Sequence, residues 1–512
     1  MILLYLALML LIGVVDAFRA IHVQSITQAS IIPASMVLHS TSLQIETEES
    51  LPILPPSQGE GMRIVMKFGG SSLRDAQRLT YVARLISRHY ELGYRPIIVC
   101  SAMGKTTNSL IAAGDFALDG SVHIDALRTL HMNTLNELGL GDGNIKEEIC
   151  ALLNDLEKLL EGIKYIGELT PRTKDALVSF GERMSVRIVS ALLNHIGVPS
   201  LSFDAWKIGL QTTSEFGNAE VDPDSYARIK DTMGKLDTAV VPIVTGFLAH
   251  DKNGKITTLG RGGSDLTATV LGSGVNVDEV QVWKDVDGIM SADPRLVTNA
   301  IPVNAITYEE AAELAYFGAE VLHPISMQPA IRSKIPVRVK NSYNPSAVGT
   351  LITEKRDMSN SIVTAITSKN NIDTIDIIST RMLGAYGFLS MVFRAFSENK
   401  ISVDVVASSD VSVSLTIDNK SSDMGNVDKL VKQLSQFAQV KVYKERCIIS
   451  LICNLEKSNQ VMSTVFDIME KLDVQCEMLS QGASKVNISL VVEMKHKDVL
   501  IKALHEVFFG NA

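Results

Sequence analysis

Cysteine is scarce in this chain: five residues among 512, at positions 100, 150, 447, 453 and 476, with no CxxC spacing and no pairing pattern. That excludes a disulfide scaffold and reads as reduced, mostly buried thiols in a reducing compartment. A basic surplus is lacking too. Lys and Arg number 48 against 57 Asp and Glu, a net charge of −9, which disfavours a protein whose main partner is a nucleic-acid backbone. Aromatic residues make up only 5%, yet hydrophobic residues reach 46% and charged residues 21%, so the chain is neither disordered nor fibrous. Its length predicts roughly two to four domains, each with its own core. Long apolar runs are missing except at the start. There residues 2–15 (ILLYLALMLLIGVV) hold no charge, but a membrane helix needs about 20 such residues.

That short run reads as the core of a signal peptide over residues 1–17, with Val15 and Ala17 as the small residues before a cleavage site and Phe18 first in the product. Residues 18–45 then hold one Arg, five Ser, two Thr and no acid, a transit-peptide composition. Together they resemble the bipartite plastid presequence of algae with secondary plastids, which implies a plastid destination; the secretory pathway is the alternative. The stretch 46–61 (ETEESLPILPPSQGEG) is acidic and Pro-rich and ends in Gly, so residues 18–61 read as a transit-like segment and linker.

From residue 62 onward, strand patterns at 63–68, 96–102, 199–204, 240–249, 278–286 and 336–342 alternate with helical patterns at 74–92, 108–119, 174–196, 264–273, 307–319 and 323–334. Continuous apolar strands separated by helices predict an α/β fold with a largely parallel central sheet over 62–355. Beyond that the units are smaller and repeat. SMVFRAFSENKISVDVV (390–406) is echoed by STVFDIMEKLDVQCEML (463–479), and VSLTI (413–417) by ISLVV (488–492). The echo predicts two successive βαββαβ, ferredoxin-like modules at 360–440 and 445–512.

The first strand runs into KFGGSS, Lys67 to Ser72, ahead of a helix. Gly69 and Gly70 let backbone N–H groups approach an anion, the helix N-terminus adds positive potential, and Lys67 supplies a point charge for a phosphate. A tight turn beside a solvated lysine fits that fragment equally. Gly104-Lys105-Thr106 imitates the end of a Walker A loop, but Val99 stands where the motif requires Gly, so this is no P-loop. In GRGGSD (260–265) three glycines surround Arg261, a cation shaped for a carboxylate. Ser264 and Asp265 begin a helix there, close to any bound phosphate; Asp265 also fits a plain helix cap. FGER (180–183) reads as the opening of a helix, with Glu182 placed for a substrate ammonium or a surface ion pair. WKDVDGIMSADPR (283–295) leaves a strand with Lys284, Asp285, Asp287, Asp293 and Arg295 gathered, which suits nucleotide or Mg²⁺ contacts or a polar surface loop.

In this order the motifs resemble the aspartate kinase family of the amino-acid-kinase fold. KFGGSS, SAMGKTTN (101–108), SFGER (179–183), GRGGSD, WKDVDGI with DPR, GAEVLHP (318–324) and IPVRVKNSYNP (335–345) fit its pattern. MLGAYGFLSMVFRAFSENKISVDVVASSDVSVSLT (382–416) resembles the first of the family's two regulatory ACT modules. The likeness spans about 62–512 and is greatest to the single-function plant and algal type. It implies transfer of the ATP γ-phosphoryl group to the side-chain carboxylate of L-aspartate, giving 4-phospho-L-aspartate and ADP, the first step toward lysine, threonine, methionine and isoleucine. That carboxylate is already ionised at neutral pH, so alignment and charge neutralisation matter more than a general base.

Carried over residue by residue, the resemblance makes Lys67 and Asp265 catalytic and gives Thr107, Glu182, Arg261 and Ser264 to substrate. Lys67, Gly69, Gly70, Ser71, Lys284, Asp285, Met290 and Arg295 would hold ATP with its Mg²⁺, and no residue is assigned as a metal ligand. Glu320 and Met290 depart from bacterial members, which often place Lys and Tyr there. Met382, Phe388, Leu389, Asp404, Ser409 and Asp410 match positions that contact an amino-acid effector in lysine-sensitive members. Lysine is the preferred effector, with threonine, or lysine with S-adenosylmethionine, open. Paired ACT modules imply a homodimer or larger homo-oligomer, with no nucleic acid and no membrane as partner of the mature form. One rival is an N-acetylglutamate or glutamate kinase, which is not expected to carry both FGER and the paired modules. The other is an inactive amino-acid sensor, against which the intact Lys67, Glu182, Arg261 and Asp265 argue.

Overall fold

The computed structural model describes residues 61–319, 322–358, 362–379, 387–409, 411–418, 424–482 and 484–510. The signal and transit segments expected before residue 61 lie outside them. The chain begins with β1 (Arg63–Phe68), α1 (Ala76–Glu91), β2 (Arg95–Cys100), α2 (Thr106–Leu118), α3 (Asp125–Glu137), α4 (Asn144–Ile166) and α5 (Pro171–His195). Then come β3 (Ser200–Phe203), β4 (Gln211–Thr212), α6 (Ser225–Gly234), β5 (Val241–Thr245), β6 (Leu248–Asp251), β7 (Ile256–Thr258), α7 (Gly263–Val275) and β8 (Glu279–Lys284). β9 (Ala305–Thr307), α8 (Tyr308–Tyr316), α9 (Pro324–Ser333), β10 (Val337–Asn341) and β11 (Thr350–Thr353) complete this part.

Eight strands form the main sheet in the order β3-β5-β2-β1-β8-β10-β11-β9. Its pairs are parallel except β10 with β11. The alternation of side chains along β1 explains why a doubly covered sheet forms here. Ile64, Met66 and Phe68 enter a core with Leu79 of α1, Leu156 of α4 and Leu192 of α5. Val65 points the other way, into a core with Val270 of α7 and Met327 of α9. A parallel sheet gathers the carboxyl ends of its strands on one edge; Phe68, Cys100, Thr245 and Lys284 finish their strands there, with Lys67 one residue before the end of β1.

Several expectations need correction. The strand expected at 240–249 is two strands, broken where Phe247 takes a φ of 68°. Helices α3 and α4 went unanticipated, although α4 buries Ile149, Leu152, Leu153, Leu156, Leu160 and Ile163 at helical spacing. FGER does not open a helix. Helix α5 starts earlier, where Thr170 accepts from the Thr173 N–H and Pro171 takes the first helical position, so Glu182 sits mid-helix.

The C-terminal part runs β12 (Val363–Ile378), α10 (Phe388–Glu398), β13 (Val406–Ser408), β14 (Ser412–Asp418), α11 (Met424–Leu434), β15 (Gln439–Cys453), α12 (Ser458–Lys471), β16 (Met478–Gln481), β17 (Asn487–Glu493) and α13 (Lys497–Phe509). These strands make one sheet in the order β13-β14-β12-β15-β17-β16, antiparallel throughout. The modules expected one after the other are interleaved. Residues 372–378 of β12 pair with β14 and with the start of β15, completing one βαββαβ unit. Residues 363–369 pair instead with the end of β15, so the second unit takes a strand from ahead of the first. No break falls between 440 and 445, because β15 is one continuous strand of 15 residues. All five cysteines are free thiols, with Cys100, Cys447 and Cys453 buried.

Candidate active site

Lys67 is the penultimate residue of β1 and Asp265 lies in the first turn of α7. Their charged groups meet at 2.6 Å, with side chains only 10% and 12% exposed. The pair is ionic rather than aligned as a hydrogen bond, because Asp265 Oδ1 has no hydrogen-bond partner of good geometry. Next to it the turn after β1 presses on the turn after β2. The Gly104 N–H donates to the Gly70 carbonyl at 3.0 Å. A Cβ on Gly70 would lie 2.8 Å from the Gly104 oxygen and 3.0 Å from that of Ala102, so only glycine fits. Helix α7 starts from Gly262, whose φ of 69° is left-handed, and Gly262, Gly263, Ser264 and Asp265 at its start line the same space.

Together these elements enclose a cavity of about 360 Å³ lined by Lys67, Gly70, Thr107, Glu182, Ser264 and Asp265 among others. Six residues singled out from the sequence thus converge from four separate segments. Ser101, Asn108 and Phe247 also line the cavity and were not assigned a role. Ser101 Oγ donates to Ser264 Oγ at 3.0 Å, locking the β2 turn to the start of α7. Hydroxyls in a strand-end segment were the only sequence signal for Ser101.

Glu182 is the most constrained acid in the cavity. Its Oε1 accepts from the Ala102 N–H at 3.2 Å, while Oε2 is buried without a partner. Burial pushes its carboxyl up to about 8, and the backbone hydrogen bonds only partly offset that. A buried carboxylate with one unsatisfied oxygen is suited to receive a cation. Its neighbour Arg183 does not share the cavity. Its Nε lies 3.9 Å from Asp204, which Arg187 also holds at 3.0 Å.

The remaining assigned residues fall elsewhere. Arg261 is exposed on its loop and is not among the residues lining this cavity. Ser71 is exposed, and its carbonyl accepts from Tyr343 Oη at 3.1 Å. Asp285, Met290 and Arg295 line a second cavity of about 460 Å³. Lys284 stands just before them, and its carbonyl accepts from the Ser342 N–H at 2.7 Å. β8 pairs with β1, so this loop leaves the sheet beside Lys67. Arg295 clamps Asp293, with Nη2 to Oδ2 at 2.9 Å and Nε to Oδ1 at 3.0 Å, and holds that carboxyl below the usual range. Asn341 and Asn344 both donate to Asp287 Oδ1, at 2.8 and 3.1 Å, tying the two loops together.

Asp404, expected to face an effector, already has partners. Lys369 Nζ lies 2.7 Å from its Oδ2 and Tyr316 Oη donates to its Oδ1 at 2.9 Å. Phe388 is buried, Leu389 is exposed, and Ser409 Oγ lies 2.8 Å from Ser412 Oγ. Met382, Asp410 and Glu320 lie outside the described residues. Among the described residues no group of three or more His, Cys, Asp and Glu side chains is placed to hold a metal. A single cavity-lining carboxylate such as Asp265 does fit Mg²⁺, which binds through one or two carboxylates, substrate phosphates and water. No helix among the described residues is long and apolar enough to cross a membrane.

Residues 62–341 match the amino acid kinase family and residues 449–508 an ACT domain. Over 468 residues the chain is 47% identical to aspartokinase 2, chloroplastic, of Arabidopsis thaliana, covering 88% of this chain and 85% of that one. Escherichia coli aspartokinase III, solved with lysine and aspartate and again with aspartate and ADP, superposes with a TM-score of 0.71 at 33% identity, covering 87% of this chain and 99% of that one. Aspartate kinase of Clostridium acetobutylicum superposes with a TM-score of 0.75 at 26% identity, covering 87% of this chain and all of that one (100%).

Proposed function

The chain belongs to the aspartokinase family, and from that premise we propose that it phosphorylates the side-chain carboxylate of L-aspartate with ATP, giving 4-phospho-L-aspartate and ADP. The observation that carries this reading is the shielded Lys67–Asp265 pair at 2.6 Å in one cavity with Glu182. A carboxylate oxygen attacks the γ-phosphorus as the bond to the departing ADP oxygen breaks, and negative charge spreads over the phosphoryl oxygens. Lys67 neutralises that charge, while Asp265 keeps the ammonium in place. Glu182 accepts the α-ammonium of aspartate, and Thr107 and Ser264 hold the substrate in line. Arg261 grips a substrate carboxylate by swinging in from its exposed loop. Gly69, Gly70 and Ser71 offer N–H groups to the phosphates, and Lys284, Asp285, Met290 and Arg295 contact the nucleotide. Asp265 would be the protein carboxylate that holds Mg²⁺ accompanying ATP, which when bound would supply further charge neutralisation.

Residues 62–355 are taken as the catalytic domain and those from about 360 onward as a paired regulatory module that assembles a homodimer or larger oligomer. Lysine is the proposed effector, contacting Met382, Phe388, Leu389, Asp404, Ser409 and Asp410; the E. coli relative crystallised with lysine supports that choice. The chloroplastic Arabidopsis relative and the signal-plus-transit composition support a plastid location. Hydroxylamine trapping of acyl phosphate, with ATP and a panel of amino acids, tests the reaction. Hydroxamate is expected with aspartate; none with aspartate overturns the reading.

A further inference from the structure

The last helix, α13, belongs to the regulatory part but reaches the loop that carries Asp285, Met290 and Arg295. His505 Nε2 lies 2.9 Å from Ser291 Oγ in a buried contact. The same Ser291 Oγ accepts from the Ile301 N–H at 2.9 Å, and its carbonyl accepts from the Ile366 N–H of β12 at 2.7 Å. Ser291 therefore fixes the loop, β12 and α13 against one another. Earlier on the helix, Lys497 and Ile501 stand one turn apart on one face and both line the 460 Å³ cavity. The Lys497 side chain is 18% exposed, and its ion partner Asp498, at 3.1 Å, is 59% exposed. Asp498 sits largely in water, so the pair contributes little and the shielded ammonium can serve a better partner.

Charge decides what that partner is. The ionic side chains lining the cavity are Asp285, Asp293, Arg295 and Lys497, two negative and two positive. Arg295 is already engaged with Asp293 at 2.9 Å. Without Lys497 the lining carries one net negative charge and repels a polyanion; with it the lining is neutral. We propose that Lys497 is a nucleotide-binding residue, an ammonium that the regulatory module's last helix supplies to the ATP cavity. Ile501 adds apolar wall one turn on, and His505 acts as a positioning residue that anchors the helix through Ser291. The ATP site is thus completed by the part of the chain that senses the effector. This rests on the assignment of Asp285, Met290 and Arg295 to ATP.

Steady-state kinetics of the full-length enzyme, with equilibrium titration of ADP, test the proposal on Lys497→Met, Lys497→Arg and Arg295→Ala. Lys497→Met keeps the aliphatic stem and removes only the charge. It is expected to raise the KM for ATP about five- to tenfold, as loss of one partly shielded charge contact does. The KM for aspartate stays unchanged, added salt narrows the gap, and Lys497→Arg restores ATP affinity. A normal KM for ATP in Lys497→Met, with a raised one in Arg295→Ala, overturns the role of Lys497 and leaves the cavity assignment standing. Unchanged ATP and ADP affinity in both variants overturns the cavity assignment and the role of Lys497 with it.

Discussion

The Lys67 ammonium lies 2.6 Å from the Asp265 carboxylate, at the meeting of a strand end and a helix start that are far apart in the chain. Neither group is spent on the fold alone, because each lines the same cavity. Lys67→Ala is expected to lower kcat by about a thousandfold or more, as removal of a preorganised charge at a transition state does. Gel filtration should show an elution volume unchanged from that of the wild type. Retained turnover would contradict the role given to Lys67.

Burial lifts the Glu182 carboxyl from an ordinary 4.5 to about 8. The native state therefore keeps a proton that the unfolded chain releases above about pH 4.5, and stability falls as pH rises from there through about 8. Glu182→Gln removes that penalty, so its melting temperature should exceed that of the wild type near pH 8. The charge is nevertheless what an ammonium needs. In the wild type the KM for aspartate should fall as pH rises toward and past 8. In Glu182→Gln it should be higher, by about tenfold, and flat with pH. A parallel pH profile in the two proteins would remove Glu182 from aspartate binding.

Arg356 lies between the two parts of the chain and grips a fully buried acid. Its Nη2 is 2.6 Å from Glu310 Oε1 and its Nε 2.8 Å from Oε2, while the same carboxylate accepts from the Thr307 N–H to cap α8. Arg356→Ala leaves that charge without its cation and should cost about 3 kcal/mol in urea unfolding. Adding Glu310→Gln should recover part of the loss. An unchanged midpoint in Arg356→Ala would show that the pair does not hold the parts together.

Tyr316 belongs to α8 of the catalytic part, yet its hydroxyl donates to Asp404 of the regulatory part at 2.9 Å. Binding and signalling should therefore separate. Asp404→Asn is expected to abolish lysine binding by calorimetry. Tyr316→Phe should bind lysine within about fivefold of wild type, since it loses a single hydrogen bond of about 1 kcal/mol, but lose most of the inhibition. Full inhibition in Tyr316→Phe would exclude this bridge.

Much of this was legible in the sequence, and the failures have physical reasons. Apolar runs such as 63–68 and 336–342 mark buried parallel strands well, because both faces are covered. The glycine clusters pointed to the cavity because close backbone approach leaves a compositional trace. Gly181 misled for the same reason: it reads as a helix start, whereas it lets α5 press on the β2 turn, where a Cβ would lie 2.7 Å from that of Ala102. Spacing located the Arg261 loop but not the direction of its side chain. Lys497 carried no signal, since one lysine in an amphipathic helix is the usual solvated residue.

Interleaving of the two modules reaches beyond regulation, into how the protein is made. Ile366 pairs with Leu451, so the strand at 363–369 emerges from the ribosome 85 residues (451 − 366) ahead of its partner. Until then its edges are unsatisfied and open to foreign strands, an aggregation hazard during synthesis. A chain cut anywhere between 410 and 445 would strand that edge permanently. Neither module can therefore be removed, duplicated or exchanged as a self-contained cassette without breaking the other's sheet.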